Sequence, residues 1–268
     1  MKMPTIEDAL EISGIEVLHP GGYELSKRIG EIADIKGKKV LDVACGRGAF
    51  ACYYARNFNT NVIGVDINPK MVEASIERAR KDGVEHLTEF KVADALSLPY
   101  PDSSFDAVIN ECAVGLTSDP QKCLNEMVRV AKLGGDIVIH ESTWRKHLPE
   151  NTKQELSLRL GTVPYTLDEW VSMMKKAGVL DIYYEDWSSI DKALLNIRED
   201  RVVTRLEDMY SFKEKYFSIF PKILFKYGIK GLVYLNKSNK MFMPLYYNGT
   251  FGYYLVKGKK YAADNATG

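Results

Sequence analysis

The chain has 268 residues, 46% of them hydrophobic, and its 36 basic residues balance 36 acidic ones. This is enough for one large or two small domains with a packed core. The charge balance gives no electrostatic reason to expect a nucleic-acid partner, and no apolar run reaches the roughly 18 residues of a membrane span. The four cysteines form no Cys-x-x-Cys pair. With no secretory signal at the charged N-terminus, we expect reduced thiols and a cytoplasmic protein.

The N-terminal segment is predicted to be helical. Thr5-Ile6-Glu7-Asp8 has the pattern of a capping box. After a break at His19-Pro20-Gly21-Gly22, apolar residues at helical spacing predict a second helix over Tyr23–Ala33. Residues 1–34 are therefore expected to form a helical cap before the first strand.

From residue 40 onwards, short apolar strands alternate with helices. This alternation is typical of a parallel sheet with helices on both faces. The first five strands are predicted at Val40–Val43, Val62–Asp66, Leu87–Val92, Phe105–Asn110 and Asp136–Glu141.

The last part of the chain changes character. We predict a connector over residues 142–165, a helix that ends near Ala177, and strands at Leu180–Tyr184 and Thr250–Val256. Residues 187–248 are rich in Lys, Tyr, Phe and Leu and are predicted to be mainly helical. A set of its apolar residues is expected to pack inside a helical cap, or else to form a lipid-binding groove or a dimer face. These are Phe217, Ile219, Phe220, Ile223, Leu224, Phe225, Leu232, Val233, Tyr234 and Leu235.

A glycine turn after the first strand is the strongest local sign of a ligand site. The run from Gly46 to Ala51 fits G-x-G-x-x-A, which by itself admits any nucleotide. Asp66, 24 residues after Asp42, can accept hydrogen bonds from two ribose hydroxyls, and Asp94 from an adenine amine. Asp42 would repel a pyrophosphate but suits a cation. S-adenosylmethionine has a sulfonium and an amino group, and therefore fits this pattern.

Several motifs, in order, resemble class I S-adenosylmethionine-dependent methyltransferases of small molecules, such as the ubiquinone/menaquinone, sterol and arsenite enzymes. The similarity covers roughly residues 35–142; Ala44 and Arg47 depart from it, since Gly and Thr or Ser are commoner there. The matching runs are Val40–Gly48, Val65–Asn68 with Met71, Ala93–Ala95, Leu98–Tyr100, Ser104–Asp106 and Glu126–Gly135.

The resemblance implies a three-layer α/β/α, Rossmann-like fold with a mostly parallel seven-stranded sheet. Its last strand runs antiparallel and is inserted beside the fifth. Residues 35–186 and 249–260 are then the core, and residues 187–248 are a helical insertion between strands 6 and 7, a candidate substrate cover.

The residues expected to bind S-adenosylmethionine, or its product S-adenosylhomocysteine, lie at the strand ends and in the N-terminal segment that closes over the cofactor. They are Tyr23, Asp42, Ala44, Gly46, Gly48, Asp66, Ile67, Met71, Ala93, Asp94, Ala95, Asn110 and Cys112.

Catalytic candidates are fewer. Glu111 follows the fourth strand and is expected to contact substrate, accept a proton or support its loop. His140 is either a core residue or a general base, because the pKa of histidine suits proton removal at neutral pH. Cys45 and Cys112 are small apolar residues or, alternatively, ligands for a soft metalloid. No resident metal ion is expected.

The sequence therefore predicts methyl transfer to a small molecule by in-line displacement. Two alternatives stay open: a quinone or lipid-like acceptor at a membrane surface, and an inactive cofactor-binding module. Peripheral membrane contact through the lysines of the insertion, and either a monomer or a homodimer, are compatible with the sequence.

Overall fold

A computed structural model describes residues 3–13, 20–193 and 210–262. The strands are β1 (Lys39–Val43), β2 (Asn61–Asp66), β3 (Thr88–Val92), β4 (Phe105–Glu111), β5 (Ala131–Trp144), β6 (Val179–Asp186) and β7 (Phe251–Lys260). The helices are α1 (Ile6–Ser13), α2 (Gly22–Ile32), α3 (Ala49–Phe58), α4 (Pro69–Asp82), α5 (Pro120–Val130), α6 (Glu150–Leu160), α7 (Leu167–Lys176), α8 (Ile190–Ala193), α9 (Phe212–Glu214) and α10 (Phe220–Tyr247).

The seven strands form one sheet in the order β3-β2-β1-β4-β5-β7-β6. Strand β1 pairs in parallel with β2 and β4, and β4 with β5, whereas β6 and β7 are antiparallel. The predicted mostly parallel sheet, with its last strand inserted beside the fifth, is confirmed. The strand order reverses between β1 and β4, where ligands bind in sheets of this kind.

The centre of the sheet is made of short, mostly apolar runs. Val40, Leu41 and Val43 in β1, and Val108 and Ile109 in β4, have no exposed surface. Strands that are buried on both faces need apolar residues at consecutive positions rather than alternate ones. The first and fourth strands were recognisable in the sequence for this reason.

The chain divides into two compact units. One comprises residues 23–141, 167–186 and the described residues from 254 onwards, and contains most of the sheet. The other comprises the described residues of 1–22, 142–166 and 187–253. One boundary between the units lies between Asp186 and Trp187, and residues 23–34 belong to the unit that contains most of the sheet.

The prediction of a connector over residues 142–165 is wrong. Strand β5 continues to Trp144, and α6 follows. Leu156 and Leu160 of α6, spaced by one helical turn, pack with Trp144 and with Phe242 and Phe251 in a buried cluster. These two leucines are the main helical signal in residues 150–160. Because the segment has a low overall hydrophobicity, the helix was not recognised in the sequence.

The insertion is mainly helical where the structure describes it, which confirms that prediction for residues 210–247; residues 194–209 lie outside the described part. A π-helical segment, Lys215–Ile219, connects α9 to α10. Helix α10 is broken at Gly228, whose φ of 68° and ψ of −176° are not helical.

Only part of the apolar set expected inside the cap is buried. Ile219, Ile223 and Leu235 form a cluster with Tyr227, against which Ile12 of α1 packs. In contrast, five residues of the set are exposed. They are Phe217 (74%), Phe220 (41%), Leu224 (44%), Phe225 (95%) and Val233 (64%).

Among the helices that the structure describes, none combines the length and the apolar character needed to cross a membrane.

The burial of β1 predicts a large effect of truncating Leu41. We expect Leu41→Ala to lower the free energy of unfolding by about 2–5 kcal/mol, through lost burial and a residual cavity. Leu133→Ala removes the same atoms from a side chain that is 63% exposed, and should change stability by no more than about 0.5 kcal/mol. Urea denaturation of the two variants measures the difference, and equal effects would contradict the burial of Leu41.

Candidate functional site

The turn after β1 has an unusual backbone. Ala44, Gly46 and Gly48 have φ values of 59°, 55° and 71°, all in the left-handed region. A Cβ atom on Gly48 would lie 2.8 Å from the Cβ atom of Ser75, so only glycine fits there. The Ser75 hydroxyl donates a hydrogen bond of 2.9 Å to the Gly46 carbonyl. Helix α4 therefore holds the turn in a shape that presents its main chain to a ligand.

Asp66, at the end of β2, connects two elements of the site. Its Oδ2 atom accepts a hydrogen bond of 3.0 Å from the Gly46 N–H, and Oδ1 accepts one of 2.9 Å from the Asn68 N–H. Each carboxylate oxygen has a second lone pair. The half-buried side chain can therefore still accept hydrogen bonds from a ribose.

Asp42 is the most unusual charge in the site. Its side chain is in the β1 strand and is 3% exposed. Within the described residues its Oδ2 atom has no hydrogen-bond partner. Burial, together with the nearby carboxylates of Glu111 and Asp66, raises the pKa of Asp42 well above its usual range. Such a group favours a cation beside it.

Glu111 is held by hydroxyl groups of two helices. Its Oε1 atom accepts a hydrogen bond of 2.7 Å from Tyr54 of α3, and Oε2 accepts one of 3.1 Å from Ser26 of α2. Burial and the Glu111 charge raise the pKa of the Tyr54 hydroxyl well above its usual range, which keeps it a donor. These contacts are consistent with the structural role expected for Glu111. Its contact with substrate stays a prediction.

Cys112 and His140 are brought together where β4 ends, because His140 of β5 lies opposite Glu111, the last residue of β4. The Cys112 sulfur lies 3.3 Å from His140 Nδ1, and the Cys112 N–H donates a hydrogen bond of 2.7 Å to the His140 carbonyl. His140 is fully buried, and Cys112 has a left-handed φ of 61°. This strain orients the thiol towards the imidazole at the edge where ligands bind.

The side chain of Asn110 is buried and bonds to three backbone groups. Its Nδ2 atom donates to the Val43 carbonyl at 2.7 Å, and Oδ1 accepts from the N–H groups of Ala113 and Val114. The amide thus connects the end of β1 to the turn after β4. Contact between Asn110 and the cofactor stays a prediction.

Glu141 is a further buried carboxyl group that was not among the residues predicted from the sequence. It is 2% exposed, and its Oε1 atom accepts a hydrogen bond of 2.7 Å from the Val114 N–H. Glu141 and Asn110 together fix the turn at residues 114–116. The available signal in the sequence was the position of Glu141 directly after His140, at the end of the predicted fifth strand.

The segments that follow β2 and β3 contribute both apolar and polar side chains to the site. Ile67 is 69% exposed, which suits contact with a flat ring. Asp94 is exposed, and its Oδ1 atom accepts a hydrogen bond of 2.9 Å from the Leu96 N–H. Met71, Ala93 and Ala95 are half-buried. The residues predicted around the adenine therefore have surface available to a ligand.

Tyr23 lies against the helix that follows the glycine turn. Its ring stacks on Tyr53 with centroids 5.2 Å apart, and meets the edge of Phe50 at 5.8 Å. These aromatic partners in α3 were not identified from the sequence. Contact of Tyr23 with the cofactor stays a prediction, and His19 lies outside the described residues.

No group of three or more His, Cys, Asp or Glu side chains among the described residues is arranged to hold a metal ion. Cys45 is buried, and burial, together with the nearby Asp42 and Asp66, raises the pKa of its thiol well above the usual range.

The sequence model of the family described as "Methyltransferase domain" matches residues 34–196. The chain belongs to this methyltransferase family. This confirms the resemblance to class I S-adenosylmethionine-dependent methyltransferases, and with it the cofactor. The unpartnered Asp42 oxygen and the acidic surroundings fit the positive charges of S-adenosylmethionine.

Two similar proteins methylate nitrogen, according to their names. Over 203 residues the chain is 30% identical to phosphoethanolamine N-methyltransferase 1 of Arabidopsis thaliana, covering 75% of this chain and 40% of that protein. Over 162 residues it is 31% identical to ajmaline N-methyltransferase of Rauvolfia serpentina, covering 57% and 56%. The chain thus spans about half the length, or less, of these relatives.

One solved structure matches over nearly the whole length of both chains, but its protein has a different activity. The [4+2]-cyclase SpnF superimposes with a TM-score of 0.73 and 22% identity over 98% of this chain and 99% of that one. This similarity concerns the fold alone, and a fold does not determine the reaction.

The burial of Asp42 predicts how stability depends on pH. The pKa of Asp42 is raised in the folded state, so its contribution to stability is complete below the unfolded pKa, near 3.9. That contribution is lost as the pH rises towards the folded pKa. Without cofactor, Asp42→Asn should therefore be more stable than the wild type at pH 7, by about 1–3 kcal/mol, and the difference should disappear below about pH 4.

Urea denaturation between pH 4 and pH 8 measures this difference. Asp34→Asn is the matched control, because the Asp34 side chain is 84% exposed, and it should follow the wild-type profile. A destabilised Asp42→Asn protein at pH 7 would contradict the uncompensated burial of this carboxyl group.

Proposed function

We propose that this methyltransferase transfers the methyl group of S-adenosylmethionine to the nitrogen of a small amine. The observation that carries the proposal is the buried Asp42 carboxyl group beside Asp66 and Glu111. Acidic surroundings at the ligand-binding edge of the sheet favour a cationic cofactor, and they also favour an acceptor that carries an amino group. The names of both curated relatives support nitrogen as the acceptor atom.

The residues of the chain act mainly by binding and orienting. When bound, S-adenosylmethionine supplies a methyl group that is already activated by a positively charged sulfur. Asp66 would orient the ribose, and Asp94 and Ile67 would orient the adenine. The left-handed turn from Ala44 to Gly48 would hold the remainder of the cofactor. Much of the acceleration then comes from holding donor and acceptor close and in line, away from water.

An amine acceptor requires the removal of a proton. Alkylamines are protonated near neutral pH, and an ammonium group has no lone pair for attack on carbon. Because His140 lies beside Cys112 and opposite Glu111, where β4 ends, we propose that its imidazole accepts this proton directly or through water. Glu111 would then position Tyr54 and Ser26, whose hydroxyls it binds.

The insertion at residues 187–248 is proposed to select the acceptor by covering the substrate. Its position between β6 and β7 in the sequence supports this role. An inactive cofactor-binding module would retain cofactor binding and lack turnover, so the two can be separated experimentally.

Cofactor binding should depend strongly on Asp66. Asp66→Ala removes a charged hydrogen-bond acceptor worth about 1.5–3 kcal/mol, and also releases the Gly46 N–H. We expect S-adenosylhomocysteine to bind at least about tenfold more weakly, as measured by calorimetry. Asp34→Ala, at an exposed carboxylate, should bind like the wild type.

Absence of S-adenosylhomocysteine binding to the wild type would overturn the cofactor assignment. If the cofactor binds, methyl-labelled S-adenosylmethionine and a panel of amines test the acceptor. Label in phosphoethanolamine or in an alkaloid amine supports N-methylation. If the label appears only in hydroxyl or carbon acceptors, the proposed N-methylation is contradicted.

The role of His140 can be tested by its effect on the pH profile. His140→Gln should lower kcat by about 100-fold, within the range of general acid–base catalysis, and should remove the acidic limb of kcat against pH. S-adenosylhomocysteine binding should change little, which separates proton transfer from cofactor binding.

His86→Gln is the matched control for this experiment, since His86 is an exposed residue before β3. It should leave kcat and its pH profile unchanged. A loss of less than about threefold in His140→Gln would exclude a general-base role, since such catalysis contributes at least about 100-fold.

A further inference from the structure

Large apolar side chains are exposed along the π-helical segment and the first half of α10. Phe212, Tyr216, Phe217 and Phe225 are 70%, 50%, 74% and 95% exposed. A soluble protein rarely exposes several aromatic side chains together without a partner for them. We call the set Phe212, Tyr216, Phe217, Phe220, Leu224 and Phe225 the exposed aromatic face.

Three rings of the exposed aromatic face contact one another in a row. The rings of Phe212 and Tyr216 have centroids 4.4 Å apart, and those of Tyr216 and Phe220 are 5.1 Å apart. Phe217, Phe220 and Leu224 recur at helical spacings of three and four residues. The same helix has already used another side for its own packing, because Ile219, Ile223 and Tyr227 are buried. The helix thus has two apolar sides, one of which is uncovered.

The segment that carries the exposed aromatic face is itself basic, and Asp8 and Glu11 of α1 lie near one of its lysines, Lys226. Residues 210–247 contain seven lysines and a single acidic residue, Glu214. Six of the lysines are exposed, namely Lys213, Lys222, Lys226, Lys230, Lys237 and Lys240. Two copies of this segment brought together would therefore repel each other. A surface of anionic headgroups over an apolar layer is complementary to both the lysines and the aromatic rings.

We propose that the exposed aromatic face docks on an anionic membrane surface. The helix would lie in the plane of the interface, with Phe217 and Phe225 inserted at the level of the headgroups and the lysines against anionic lipid. This is contact and not spanning, since the lysines recur along the whole of α10. The contact would bring the compact unit that contains residues 210–247 to the lipid, whichever acceptor is methylated.

Vesicle sedimentation with the full chain tests this proposal. The wild type should sediment with vesicles of phosphatidylcholine and phosphatidylglycerol, and much less with phosphatidylcholine alone or at high salt. Phe217→Ser/Phe225→Ser should lower the partition coefficient about 10- to 100-fold, through lost apolar insertion. Lys222→Glu/Lys226→Glu should lower it at least about tenfold on anionic vesicles only.

A matched control removes exposed apolar residues elsewhere. Leu133→Ser/Leu158→Ser changes side chains that are 63% and 75% exposed, and should bind vesicles like the wild type. Circular dichroism and S-adenosylhomocysteine binding should be unchanged in all the variants. The result therefore does not depend on whether the proposed N-methylation is correct.

Three results would overturn the proposal. The wild type could remain in the supernatant with anionic vesicles, or the Phe217→Ser/Phe225→Ser variant could sediment as well as the wild type. Light scattering could instead show a dimer that this variant dissociates, which would assign the face to a second copy of the chain.

Discussion

An ionised carboxyl group that is buried without a partner costs several kcal/mol, and a protein retains one only where something compensates it. Asp42 is in this situation among the described residues, and its charged neighbours, Glu111 and Asp66, increase the cost. Without a ligand the group therefore tends to hold a proton. A cation that binds beside it reverses this preference, so cofactor binding is coupled to the loss of that proton.

The surrounding backbone is strained in a way that serves the same site. Ala44 and Cys112, neither of them glycine, have left-handed φ values after the ends of β1 and β4. Such residues cost about 1–3 kcal/mol each and persist only where neighbouring contacts determine them. Here the contacts are the Asp66 carboxylate on Gly46 and the Asn110 amide that connects Val43 to the turn after β4. The polar side chains thus maintain the geometry in which Asp42 is buried.

Much of this arrangement could be predicted from the sequence, because strand ends in a parallel sheet converge and glycines mark the turn. The sequence could not tell which aspartate would lack a partner, since Asp42 and Asp66 both lie in short apolar strands. It also could not show that the amide of Asn110 bonds to three backbone groups of the protein. In the insertion, the π-helical segment changes the phase of the helix. The spacing of Phe217 and Phe225 therefore did not reveal that they lie outside while Ile219 and Ile223 lie inside.

The acidic surroundings also bear on the amine acceptor that we propose. A sulfonium and an ammonium group placed within a few ångströms repel each other, even where carboxylates attract both. Loss of the ammonium proton removes that repulsion and creates the lone pair that attacks carbon. Proton removal therefore has both an electrostatic and a chemical reason in this site. His140 lies in β5 directly opposite Glu111, the last residue of β4. In the proposed N-methylation, the imidazole would receive the proton at this edge of the sheet, where the carboxylates would attract both cations.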